Sequence, residues 1–213
     1  MIQNLVFDMG NVLIKYDVEA YIGRFVTEPG DRSILRNELF RSLEWVSMDR
    51  GRLMPEQAWE LIRPRIPPAL QVPARRCLLE WHQELTLQPG MEALLAQLKK
   101  AGCNLYVLTN ASRLYHVYRR GMQPLLQYMK GEFVSADWGL LKPQPEIYRT
   151  FTQYFHLLPS ETLFIDDLPL NAAAALDCGW SAIVFHGEVD ALIKALRQQD
   201  LTPETQAALA ELS

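Results

Sequence analysis

The apolar positions of this chain fall into two patterns. Short continuous runs near 3–8, 103–109, 162–166 and 181–185 are the mark of strands buried on both faces. A fifth, shorter run reads from Gly131 to Ser135. Between the later runs the spacing turns helical. Met91 to Ala101 sets Leu94, Leu95 and Leu98 on one face, and Leu170 to Cys178 is rich in alanine. Gly102 and Gly179 follow these two helices as left-handed stops. Alternating strands and helices with short connections predict an α/β fold, a parallel sheet with helices on both faces.

Residues 15–88 break that rhythm. Helical patterns run over about 18–27, 32–44, 55–62 and 74–86, with no convincing strand. Pro55, Pro64, Pro67, Pro68 and Pro73 punctuate the segment, the last at a helix start. It reads as an all-helical domain, 15–88, inserted between the first strand and the rest of a sheet domain made of 1–14 and 89–213. The insertion leaves from the carboxyl end of the first strand, where open α/β sheets bind ligands, so it is placed to cover that site. Hinges are expected near Ile14–Tyr16 and Leu87–Gly90. Thr202-Pro203 predicts a capped last helix.

Composition narrows the partners. The chain has 213 residues, 49% hydrophobic and 22% charged, with a net charge of −4 and no basic block. That argues against nucleic acid and leaves room for a small anion held by local cations. Cys77, Cys103 and Cys178 are far apart and odd in number, which suits buried thiols in a reducing compartment. They show no zinc-type spacing. The first residues lack a basic start and a small-residue cleavage site, and no run reaches the length of a membrane span. A cytoplasmic location without membrane contact is expected.

Four strand ends carry candidate chemistry. Leu5-Val6-Phe7 ends in Asp8, followed by Gly10 and Asn11. Leu163-Phe164-Ile165 ends in Asp166-Asp167, two adjacent carboxylates that repel unless a cation or proton neutralises one. Together with Asp8 they form a hard oxygen set suited to Mg²⁺. Thr109 and Asn110 close another strand and offer donors to a phosphoryl oxygen, or a cap to the next helix. Lys142 precedes a proline-bracketed turn into a helix.

Asp8, Thr109, Lys142 and Asp166/Asp167, in that order, resemble the four motifs of the haloacid dehalogenase superfamily. The resemblance covers residues 1 to about 190. Asp-Met-Gly-Asn, Leu-Thr-Asn-Ala-Ser-Arg and Lys-Pro-x-Pro-x-Ile-Tyr look like the branch containing sugar-1-phosphate phosphatases. The resemblance implies a Rossmann-like core with a small helical cap, and a Mg²⁺-dependent phosphatase acting on a small phosphorylated metabolite, a sugar phosphate above others. It implies Asp8 as the nucleophile that forms an aspartyl-phosphate. Asp8, the Gly10 backbone carbonyl, Asp167 and Asp166 would hold the metal, with Asn171 in support. Lys142 would neutralise charge, and Thr109 and the backbone at Asn110 would hold phosphoryl oxygens.

The family's phosphatases usually carry a second aspartate two residues after the nucleophile, as the general acid and base. Gly10 stands there. Such a group is worth about 10²–10⁴-fold in rate. Three readings follow: a phosphatase with good leaving groups, or with a proton from a cap residue or water; a metal-independent 2-haloacid dehalogenase, against which the acidic pair argues; or a binding module with little activity. Candidate substrate contacts in the insertion are Trp45, Arg41, Asp49 and Arg50, with Trp45 also reading as core and Arg50 as a turn residue. Arg113 either reaches a substrate anion or is an exposed helix-start residue. His82, His116, His156 and His186 form no ligand spacing, and Tyr115, Tyr118, Arg119 and Arg120 read as a half-exposed helix face.

Overall fold

A computed structural model describes residues 1–212. The strands form where the apolar runs predict them: β1 (Asn4–Phe7), β4 (Asn104–Thr109), β5 (Gly131–Val134), β6 (Thr162–Asp166) and β7 (Ser181–Val184). They make one parallel sheet in the order β5-β4-β1-β6-β7. β1 is wholly buried at the centre, with Leu5, Val6 and Phe7 at 0% exposure. Two apolar layers cover the sheet. Leu94, Leu95 and Leu98 of the Met91–Lys100 helix join one, and Ile147, Tyr148 and Phe151 of the Pro145–Tyr154 helix join the other. Gly102 stops the first of these helices at φ +89°, and the Cys103 N–H returns to the Leu98 carbonyl at 3.0 Å. Thr202 caps the last helix, Pro203–Ala210, as its sequence predicts.

The inserted segment holds five α-helices: Val18–Gly23, Pro29–Leu35, Leu43–Asp49, Pro55–Ile62 and Gln71–Glu80. Ile22, Leu35, Leu39, Ala58, Ile62, Ala74, Cys77 and Leu78 form an apolar cluster of their own. The pattern over 32–44 suggested one continuous helix. The backbone instead turns through a wide π segment at Arg36–Phe40, and Ser42 restarts it by accepting from the Trp45 N–H at 3.0 Å. The expectation of no strand in 15–88 is also corrected. β2 (Ile14–Lys15) and β3 (Thr86–Leu87) pair antiparallel, and Gln88 N–H donates to the Leu13 carbonyl at 2.9 Å. Two-residue strands have no periodicity to read, and this pair forms only because the chain leaves and re-enters the core side by side. Cys77 and Cys103 are buried, Cys178 is partly exposed, and all three are free. No helix among the described residues is long and apolar enough to cross a membrane.

The inserted segment is fastened to the sheet domain through the turn after Leu43–Asp49. The Ser135 hydroxyl donates to the Asp49 carbonyl at 2.5 Å, and Arg50 donates to Gln144 at 3.3 Å. Gly51 sits at φ +71°, and a Cβ there would lie 2.0 Å from the Ala136 carbonyl oxygen. Gly102 has a similar φ with open space around it. Gly102→Ala therefore costs only the left-handed conformation, about 1 kcal/mol. Gly51→Ala must also break the contact with Ala136, and about 1–3 kcal/mol more is expected for the strained turn. Urea unfolding of the two variants side by side checks the difference.

Candidate active site

The register of the sheet assembles the site. Phe7 lies beside Val107 on β4 and Ile165 on β6. Asp8 therefore emerges between the ends of those strands, level with Asp166, its N–H bonded to the Ile165 carbonyl at 2.8 Å. Thr109 ends β4 at 1% exposure. All three side chains stand at the carboxyl edge, the ligand side of an open parallel sheet.

Lys142 ties them together. Its ammonium lies 2.7 Å from Asp8 Oδ1 and 2.6 Å from Asp166 Oδ2, and its side chain is 1% exposed. Burial disfavours the ammonium, but the two carboxylates outweigh it and raise its pKa. The Asp8 pKa is raised as well, to about 7, chiefly by burial, with Lys142 opposing. Asn110 places the lysine: its Nδ2 donates to the Lys142 carbonyl and its Oδ1 accepts from the Lys142 N–H, both at 2.9 Å. The Asn110 side chain thus neither caps a helix nor is free for phosphate. What remains for a phosphoryl oxygen is its backbone.

Asp8, Asp166 and Asp167 present oxygens within 4.8 Å of one another. One ammonium cannot neutralise three carboxylates, and Asp167 too is raised, mainly by burial, although Asn11 donates to it at 2.9 Å. This hard, electron-rich set fits a divalent cation. Asp166 is already engaged by the protein. Its Oδ1 accepts from the Leu168 N–H (2.8 Å) and Asn171 (3.0 Å), and its Oδ2 from Lys142 (2.6 Å) and Asn171 (3.1 Å). Three donors, the Leu168 N–H, the Asn171 amide and the Lys142 ammonium, thus share its two oxygens. It is also 0% exposed and absent from the wall of the cavity. Of the expected metal set, Asp8, Asp167 and Gly10 line the cavity, and Asp166 lies behind them. Asn171 lines the cavity and donates to Asp166.

A cavity of about 290 Å³ opens on this cluster. Asp8, Gly10, Thr109, Asn110, Lys142 and Asp167 line its sheet side. Tyr16, Trp45, Trp81, Tyr118 and Asp49 line the rest. Trp81 is the hub of the aromatic wall, with ring centres at 5.4 Å from Tyr16, 6.0 Å from Trp45 and 5.3 Å from Tyr118. Trp45 lines the cavity and also packs on Phe40, ring centres 4.7 Å apart. Tyr115 and Tyr118 are corrected from half-exposed to buried, at 0% and 5%. They pack inward, while Arg119 pairs with Glu132 and Arg120 is exposed. Arg113 is exposed and, like Arg41 and Arg50, lies outside the cavity wall. Of the histidines, His116 pairs with Asp137 at 3.0 Å and His82 lies against Tyr118, ring centres 5.5 Å apart; none lines the cavity. Trp81, Tyr16 and Asn11 are site residues that sequence reasoning missed. Only the position of Asn11 in the first motif hinted at its part.

Residues 2–179 match the family model of the haloacid dehalogenase-like hydrolases, and the chain belongs to that family. It is a hydrolase whose α/β fold is that of the family, with relatives among phosphatases. Over half of its length it is 30% identical to flavin mononucleotide hydrolase 1 of Arabidopsis thaliana, covering 43% of that protein. It is 23% identical to the D-ribitol-5-phosphate phosphatase of Bacteroides thetaiotaomicron, over 84% of this chain and 90% of that one. A family enzyme from the same bacterium, solved with magnesium and inorganic phosphate, superposes with a TM-score of 0.66 at 21% identity, covering 88% of this chain and 96% of the other.

The Asn110 clamp gives a test of the site's construction. Asn110→Ala leaves two backbone groups of Lys142 without partners, and about 1–3 kcal/mol of stability should be lost. Asn110→Asp should cost more, because a carboxylate oxygen then faces the Lys142 carbonyl. Chemical denaturation of both variants measures the order.

Proposed function

We propose that this protein is a Mg²⁺-dependent phosphatase of small phosphorylated metabolites, working through an aspartyl-phosphate on Asp8. The observation that carries the proposal is the buried Lys142 bridging Asp8 and Asp166 beside Thr109, at the edge of a cavity. Asp8 attacks phosphorus, and the bond to the leaving oxygen breaks. Lys142 holds Asp8 in place and offsets negative charge as two anions approach. The Thr109 hydroxyl and the Asn110 N–H donate to phosphoryl oxygens, preorganised by the end of β4. Asp8, Asp167 and the Gly10 carbonyl would hold the cation, and bound Mg²⁺ supplies the remaining charge neutralisation between nucleophile and phosphate. The acidic pair has no part in haloacid dehalogenation, which favours the phosphatase reading.

The helical segment 15–88 acts as a cap in this reading. It brings Tyr16, Trp45 and Trp81 over the phosphate position, and the paired β2–β3 stem makes its two crossings move together. An aromatic wall suits a leaving group with an apolar face. A pyranose ring has one, which keeps a sugar phosphate the favoured substrate class, and so does a flat heteroaromatic group. The setting is cytoplasmic.

Turnover of p-nitrophenyl phosphate and glucose 1-phosphate with Mg²⁺ should disappear on chelation and in Asp8→Asn. Phosphate release equal in wild type and Asp8→Asn would refute the nucleophile. Metal binding has a readout apart from activity: at a hundredfold excess over Kd, Mg²⁺ should add about 2.7 kcal/mol to the unfolding free energy. Most of that gain should vanish in Asp167→Asn.

A further inference from the structure

The family position for the general acid and base is Gly10, and its backbone does not require glycine. Its φ lies outside the left-handed region, and a Cβ there would meet only Tyr16 Cβ, at an ordinary 3.8 Å. The missing aspartate is thus not explained by strain or crowding at the Cβ. Three carboxylates line the cavity: Asp8, Asp167 and Asp49. Asp8 is committed to Lys142 and Asp167 is bonded to Asn11. Asp49 stands apart from the cluster, on the opposite, inserted segment.

Asp49 is also held firmly. Its carbonyl receives the Ser135 hydroxyl, the same hydroxyl that accepts from the Ala111 N–H at 2.9 Å, just beyond β4. Gly51 lies directly against Ala136, and Arg50 reaches Gln144. The groups acting on the Asp49 carboxyl are neutral donors, the Trp45 side chain and the Ser112 N–H, and burial raises its pKa to about 7. Both of its protonation states are therefore accessible near neutral pH, the condition for a group that must give and retake a proton. Tyr16 and Tyr118, two further protic side chains of the wall, are driven well above the usual tyrosine range, largely by burial, and cannot cycle in this way.

We propose that Asp49 is the catalytic acid and base of this phosphatase, supplied from the inserted segment in place of the aspartate absent at Gly10. The inference rests on the phosphatase reading of Asp8. As Asp8 attacks phosphorus, the electron pair of the breaking P–O bond goes to the leaving oxygen, and the Asp49 carboxyl delivers its proton there. The alcohol departs and Asp49 is left as a carboxylate. It then takes a proton from the water that attacks the aspartyl-phosphate. The P–O bond to Asp8 breaks, its electron pair returns to Asp8, inorganic phosphate is released and Asp49 is again protonated. The cycle consumes one water per phosphate monoester. The site then becomes complete only when the turn at Asp49–Gly51 is docked, which couples catalysis to closure.

The test compares leaving groups. In Asp49→Asn, kcat/KM for glucose 6-phosphate, an alkoxide leaving group, should fall about 10²–10⁴-fold. The loss on p-nitrophenyl phosphate should be smaller by at least tenfold. Gly10→Asp added to Asp49→Asn should recover part of the glucose 6-phosphate activity, a rescue that a merely structural Asp49 does not predict. Equal losses on both substrates, no loss, or no rescue would overturn the assignment. Should Asp49→Asn not fold, the wild-type protein still decides. Across a series of aryl and alkyl phosphates, a shallow slope of log kcat/KM against leaving-group pKa supports protonation, and a steep one rejects it. The two proposals fail separately. Turnover that survives Asp8→Asn removes the nucleophile, whereas turnover that needs Asp8 but ignores Asp49 removes only the acid.

Discussion

Everything at the sheet edge depends on one buried ammonium. Lys142 lies between Asp8 and Asp166 with almost no exposure, where a lone cation or a lone carboxylate would be very costly. The arrangement holds because each member is satisfied. Asp166 takes three donors, and Asn110 fixes the lysine's backbone from the next strand. Three strand ends and one loop are thereby locked to a common point. Removing one partner would leave a buried charge exposed to its own desolvation, so the cluster is a constraint on the fold as much as a device for chemistry.

That lock has an electrostatic remainder. Three carboxylates face one lysine, and the two on the cavity wall, Asp8 and Asp167, have raised pKa values. The site is built with an excess of negative charge that a cation would relieve, and Asp166 is paired with the lysine off the cavity wall. The wall opposite is aromatic, supplied mainly by the inserted segment and centred on Trp81. Charge handling and substrate surface thus come from different parts of the chain, joined at the docked turn of Asp49, Arg50 and Gly51.

Much of this was legible in the sequence because the relevant signals are local. A buried parallel strand is a continuous apolar run, and β1, β4, β5, β6 and β7 all stand within a residue of their runs. Asp8, Thr109 and Asp166 end such runs, so their arrival at one edge follows from the fold class alone. Lys142 needed the family resemblance, since nothing local distinguishes it from a surface lysine. Other features had no local signal at all. The β2–β3 stem is two residues wide, the π turn at Arg36–Phe40 interrupts an unbroken helical pattern, and Tyr115 and Tyr118 are buried by a neighbouring layer that their own periodicity does not encode.

The sequence by itself determined the parallel sheet, the inserted helical segment and the acids delivered to the sheet edge, because apolar runs and chain order set which residues end up at strand ends. The tertiary structure alone decided how those groups share their bonds. It set three donors on Asp166, turned the Asn110 side chain toward Lys142 and brought Tyr16, Trp81 and Asp49 into the wall of the same cavity. Those outcomes depend on distances between segments tens of residues apart. Such distances are set by packing and hydrogen-bond satisfaction across the whole domain, not by any stretch of chain that can be read alone.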